Sequence, residues 1–106
     1  MTEAAGAGAD AVLHVRVLGR VQGVGFRWWA QQRALALGVR GWVCNREDGS
    51  VELAASGPAS AVQALHDALR QGPPHASVRE TVALGLLEEA DALPLPFVIR
   101  RDTAER

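Results

Sequence analysis

The stretch Val12-Leu13-His14-Val15-Arg16-Val17-Leu18-Gly19-Arg20-Val21-Gln22-Gly23-Val24-Gly25-Phe26-Arg27 decides the fold. Its first half alternates. Leu13, Val15 and Val17 share one face and His14 and Arg16 the other, the pattern of a strand with one face buried. Gly19, Gly23 and Gly25 then crowd a short connection. Glycine loses more backbone freedom on folding than any other residue, so such a cluster implies a tight bend or a close approach to the main chain. Phe26, Ala30, Ala34 and Leu37 follow at spacings of four, four and three, the apolar stripe of a helix. Arg27 stands where that helix begins. Bare N–H groups at a helix start attract anions, and successive loop N–H groups form an anion-binding nest. A guanidinium beside them makes a cradle for phosphate or carboxylate.

Outward from this stretch the signals alternate regularly. Gly38 predicts a left-handed cap at the end of the helix. Val39 to Arg46 reads as a second strand, with Val43 and Asn45 on one face and Trp42 and Cys44 on the other. Asp48-Gly49 is a tight-turn signal, and Ser50 to Ser56 is a third strand with Val51, Leu53 and Ala55 inward. Gly57-Pro58 opens a helix with Pro at its first position, Val62, Leu65 and Leu69 form its buried stripe, and Gly72-Pro73-Pro74 stops it. Ser77 to Leu87 is expected as a longer strand, Glu88 to Pro94 as a loop, and Leu95 to Arg101 as a last short strand. The order β-α-β-β-α-β, with a short extra strand at the end, predicts an α+β ferredoxin-like sandwich, with two helices on one face of a mainly antiparallel sheet. The other face is expected to meet solvent, which suits outward His14, Arg16 and Glu52.

The chain has 106 residues, which suits one domain with a core of its own. Residues 1–10 are expected as a flexible N-terminal tail, 11–101 as the domain and 102–106 as a C-terminal tail. A net charge of -1 gives no electrostatic case for nucleic acid or an anionic membrane. No run approaches the ~18 apolar residues of a membrane span, and the N-terminus lacks the basic and apolar regions of a signal peptide. The single cysteine, Cys44, permits neither an internal disulfide nor a cysteine metal cluster, and fits a reducing cytoplasm.

The glycine spacing is G-x-x-x-G-x-G. It matches neither the dinucleotide fingerprint nor a Walker loop. The full string Gly19-Arg20-Val21-Gln22-Gly23-Val24-Gly25-Phe26-Arg27, however, closely resembles the signature of the acylphosphatase family. Gly41-Trp42-Val43-Cys44-Asn45, then Asp48-Gly49-Ser50-Val51-Glu52, resembles a second family segment, and Phe97-Val98-Ile99-Arg100 is similar to its final strand. The resemblance covers roughly residues 11–101. It implies hydrolysis of the carboxyl–phosphate bond of a small acyl phosphate to carboxylate and inorganic phosphate. It implies that Arg27 binds the phosphate with the loop amides and that Asn45 positions the attacking water. Cys44 departs from the charged residue often found there, but alternation points it away from Asn45.

Elementary chemistry agrees with that implication. Phosphoryl transfer is mostly positioning and electrostatics. Arg27 offers a planar fork of donors, and the backbone N–H groups of Gln22, Gly23, Val24, Gly25, Phe26 and Arg27 can supply the rest. A carboxylate is a weak base and leaves with little help from a general acid. Asn45 cannot take a proton, but its amide can orient a water. No residue set resembles a magnesium or zinc site, so no metal or other cofactor is expected, and the protein is expected to act as a cytoplasmic monomer.

The remaining residues read more plainly. Arg20 is expected to be solvated and Gln22 to be a spacer. Trp28, Trp29 and Trp42 are expected to pack, since a nucleic-acid reader needs a basic face as well. His14, His66 and His75 have no ligand spacing and read as surface residues. The rival readings are a non-catalytic ferredoxin-like module binding an anion or protein, the acylphosphatase-like domain of carbamoyl-transferring maturation proteins, and an RNA-binding βαββαβ domain. The single Cys speaks against the zinc motifs of the second. The first and third strands lack the outward aromatics of the third.

Overall fold

The computed structural model describes residues 10–85, 87 and 90–101. The expected tails, apart from Asp10, and part of the loop at Glu88 lie outside the described residues. The elements run β1 (Asp10–Arg20), α1 (Phe26–Leu37), β2 (Arg40–Asn45), β3 (Val51–Pro58), α2 (Ala59–Gln71), β4 (Ser77–Ala83) and β5 (Val98–Ile99), with one 3-10 turn at Ala90–Ala92. The sheet order is β4-β1-β3-β2-β5. The first four strands pair antiparallel and β5 joins β2 in parallel. This is the predicted ferredoxin-like α+β sandwich with one added edge strand. No described helix is long and apolar enough to cross a membrane.

Strand parity builds the main core. Leu13, Val15 and Val17 of β1, Val43 of β2 and Val51, Leu53 and Ala55 of β3 all face the helices. Phe26, Ala30 and Ala34 of α1, and Val62, Leu65 and Leu69 of α2, meet them. Helix α1 rests on β2 and β5, and α2 on β1, β3 and β4. Gly38 caps α1 in the left-handed region at φ 74°, its N–H reaching back into the last turn. Gly19 sits at an irregularity in the β1–β4 ladder, where an added Cβ would lie 2.2 Å from the Ser77 carbonyl oxygen. A side chain there would force the strands apart.

Several expectations need correction. β1 is longer than predicted and already includes Asp10, which pairs with Pro58. Pro58 is not the first helical residue. It ends β3 and caps α2 at φ -55° and ψ 140°, so strand passes straight into helix. β4 stops at Ala83 instead of Leu87. Leu84 N–H still donates to the His14 carbonyl, but the Gly85 carbonyl turns to His14 Nδ1 at 3.3 Å. The last strand shrinks to Val98–Ile99, held by pairing to Trp42 and Val43.

The far face of the sheet is the largest difference. It is covered, not solvated. Trp42, Cys44, Ala54 and Leu93 form a second buried cluster, with Leu87 and Val98 against it. Glu52 is only 8% exposed. Its two carboxylate oxygens meet His14 Nε2 at 2.6 Å and Arg46 Nη1 at 2.7 Å, so the buried charge is paired on both sides. His14 also meets the edge of the Trp42 ring, and the Arg100 guanidinium lies 4.4 Å from the centroid of that ring. His14 is therefore a member of a half-buried cluster rather than a surface residue.

Candidate active site

The connection from β1 to α1 occupies residues 21–25. Val21 is buried beneath it. Gly23 and Gly25 take φ of 77° and 79°, where an L side chain is strained. An added Cβ would meet nothing within 4 Å at either. Backbone conformation, not space, therefore demands glycine at these two positions. Gly25 is the N-cap of α1 and supplies no side-chain cap. The first helical hydrogen bond runs from Trp29 N–H to the Gly25 carbonyl at 3.0 Å. The N–H groups of the preceding turn have no intrahelical acceptor, as in any α-helix. No acidic residue occupies the first turn of α1 to answer the positive end of the helix dipole.

The loop, the start of α1 and the end of β2 enclose a cavity of about 240 Å³. Gly23, Gly25, Phe26, Arg27 and Asn45 all line it. Helix side chains lean toward the N-terminus, so Arg27 overhangs the loop. Asn45 ends β2 and pairs with Val51 of β3. It shares the helix-facing side of the sheet with Val43. Asn45 Oδ1 is buried and accepts no hydrogen bond from any described residue. A buried amide oxygen without a partner is costly, and Asn45 itself lines the cavity. Among the described residues, no Asp or Glu lines the cavity. Among the described residues, no three His, Cys, Asp or Glu side chains gather as metal ligands.

Two side chains of the predicted loop set turn to other parts of the protein. Val24 packs against the main core, so only its backbone can serve a ligand. The Gln22 side chain turns to the hairpin. Its Nε2 donates to the carbonyls of Arg46 and Ser50, both at 2.8 Å. It is a brace between loop and hairpin, not the spacer that sequence suggested. The same hairpin is closed by Arg46 N–H to the Ser50 carbonyl at 2.8 Å and Gly49 N–H to the Arg46 carbonyl at 3.1 Å. Asp48 Oδ1 accepts from Ser50 N–H at 2.9 Å and from Ser50 Oγ at 2.6 Å. These bonds, Ser50 Oγ first, lower the Asp48 pKa below its ordinary 3.8.

Arg20 is exposed and Cys44 is fully buried on the far face. Trp29 packs on Phe26 and Trp42 on the second cluster. Trp28 overturns the packing expectation, for it is 63% exposed and lines the cavity. Ile99, from β5, lines it too, and sequence reading gave it no part in the site. Only its place at the end of the chain's last apolar run pointed that way, and parallel pairing to β2 is a long-range event.

Known proteins share both the sequence and the fold of this chain. The acylphosphatase family model matches residues 13–91. The chain is 46% identical over 94 residues to an acylphosphatase of Salinibacter ruber, covering 89% of this chain and 97% of that one. It is 54% identical over 69 residues to an acylphosphatase of Rhizobium etli, covering 65% and 73% respectively. Among solved structures, the acylphosphatase from Bacillus subtilis superposes with a TM-score of 0.73 at 36% identity, over 87% of this chain and 99% of the other. That from Coxiella burnetii gives 0.74 at 33% identity, over 86% and 93%. By its sequence over most of its length and by its fold, the chain belongs to the acylphosphatase family.

Proposed function

We propose that the cavity between the glycine loop and the end of β2 performs the acylphosphatase reaction, with Arg27 and Asn45 as its catalytic residues. Arg27 and the loop amides of residues 22–27 grip the non-bridging oxygens of the phosphoryl group. Asn45 Oδ1 accepts one O–H of a water and aims its oxygen at phosphorus, in line with the leaving group. The water oxygen–phosphorus bond forms as the phosphorus–acyl oxygen bond breaks. The carboxylate leaves with that electron pair, and a water proton passes to a phosphoryl oxygen. No side chain has to act as general base. Nor is a metal required, because the guanidinium and the amides carry the positive charge.

The observation that carries this reading is the meeting of Asn45, Arg27 and two left-handed glycines at one cavity. Residues 11–101 are taken as the working domain. A cytoplasmic monomer is the setting we assign to it, in keeping with a single, buried Cys44.

Ultraviolet loss of benzoyl phosphate tests the reading. Arg27→Lys loses the bidentate grip and should lower kcat/KM at least about 100-fold. Asn45→Ala should lower kcat about 100-fold while inhibition by inorganic phosphate stays within about three-fold. Wild-type turnover by either variant, or phosphate binding without turnover by the folded wild type, overturns the assignment.

A further inference from the structure

We propose that Trp28 and Ile99 form an apolar platform for the acyl group, and that flat, apolar acyl phosphates such as aroyl phosphates are the preferred substrate class. The inference rests on the reading of Arg27 and Asn45 given above, which fixes the end of the cavity that holds the phosphoryl group.

Five large apolar side chains are exposed among the described residues: Val12, Trp28, Leu35, Leu95 and Ile99. Single exposed apolar residues are ordinary. Two of these five, however, line the cavity that holds Arg27 and Asn45. Trp28, at 63%, is the most exposed of the set, and Ile99 is 38% exposed. They come from elements far apart in sequence, α1 and β5, so their meeting at one cavity is a product of the fold. Trp28 follows Arg27 in the first turn of α1 and leans toward the loop for the same geometric reason. Ile99 is fixed from both sides. It pairs with Val43, and the Arg100 N–H donates to the Val43 carbonyl at 2.9 Å. Two residues earlier, the Phe97 carbonyl accepts from Gln31 Nε2 of α1 at 3.2 Å. The platform therefore flanks the phosphate site and is anchored at both ends.

The chemistry of the lining selects the acyl group. Among the described residues no acidic side chain lines the cavity, so no carboxylate there pairs with an ammonium. An indole face offers offset stacking to a flat ring, and Ile99 offers dispersion contact beside it. An acetyl methyl is too small to use either surface fully.

The test compares kcat/KM for benzoyl phosphate and acetyl phosphate in the full chain. Wild type should favour benzoyl phosphate. Trp28→Ala should reduce the benzoyl-to-acetyl ratio about ten-fold, and Ile99→Ala about three-fold. Trp28→Phe should restore most of the ratio, whereas Leu35→Ala, on an exposed residue that does not line the cavity, should leave it unchanged. Inhibition by phenylphosphonate and methylphosphonate gives the same ratio without turnover and covers any variant too weak to assay. A ratio within two-fold of wild type in Trp28→Ala, with Arg27→Lys still inactive, overturns the platform alone. Wild-type turnover by Arg27→Lys instead overturns the site on which it rests.

Discussion

Replacing Gln22 by Leu should loosen the site without touching any group that meets substrate. The side chain keeps its approximate size but loses two hydrogen bonds of 2.8 Å, to the carbonyls of Arg46 and Ser50. Neither carbonyl is orphaned, since Gly49 N–H still bonds the first and Arg46 N–H the second. The loss is therefore two ordinary bonds of about 1 kcal/mol each, with no desolvation penalty added, or about 2 kcal/mol in all. For a domain of this size that corresponds to a fall in Tm of about 10 °C. Because the brace fixes the glycine loop against the strand end that carries Asn45, kcat should also fall, by roughly ten-fold, at a temperature where the variant is fully folded. Urea unfolding followed by circular dichroism and benzoyl phosphate kinetics measure the two effects. Gln22→Glu sharpens the test. It sets acceptor oxygens against two carbonyls and should be less stable than the Leu variant. A Gln22→Leu protein within about 0.5 kcal/mol of wild type, or a Glu variant more stable than the Leu variant, refutes the brace.

Three further outcomes are expected. Gly25→Ala should cost about 1 kcal/mol in urea unfolding and weaken phosphate inhibition, because φ of 79° strains Ala although space is open; Gly25→Asn should be the milder change. His66, on α2 with Nε2 3.4 Å from Thr81 Oγ1, has its pKa lowered below 6.5, first by burial and then by Arg70. A depressed histidine favours the neutral form in the folded state, so its contribution is full above pH 6.5 and is lost as pH falls through the depressed value. Denaturant titrations from pH 7 to about pH 5 should show His66→Gln with a shallower loss than wild type. Incubation with a chelator should leave benzoyl phosphate turnover unchanged, whereas inorganic phosphate should inhibit it competitively; loss of turnover on chelation refutes catalysis by guanidinium and amides alone.

Local signals carried much of this architecture. Alternation in β1 assigned Leu13, Val15 and Val17 to the core, because side-chain period depends only on neighbours along the strand. Gly38 and Gly72-Pro73-Pro74 marked helix ends by conformational necessity. The meeting of Arg27 and Asn45 followed from their places at two adjacent element ends in one βαβ unit. What escaped depends on contacts between distant segments. The cover over Trp42, Cys44 and Ala54 comes from Leu87 and Leu93, far along the chain. Alternation cannot distinguish a solvated polar face from a buried hydrogen-bonded one, so Glu52 read as solvated although His14 and Arg46 both contact its carboxylate. Trp28 and Gln22 escaped for a similar reason. Residue type says that an indole packs and a carboxamide bonds, but not which distant partner, or none, the fold supplies.

The two βα crossings of this molecule are unequal. In the first, five residues separate strand from helix. In the second, β3 runs into α2 at Pro58 with no residue between, and proline brings no hydrogen of its own to the junction. The internal pseudo-symmetry is thus one of scaffold only. On the proposed reading, the anion site belongs to the first half-repeat and its twin contributes core alone. Giving the twin a function would begin with lengthening that crossing.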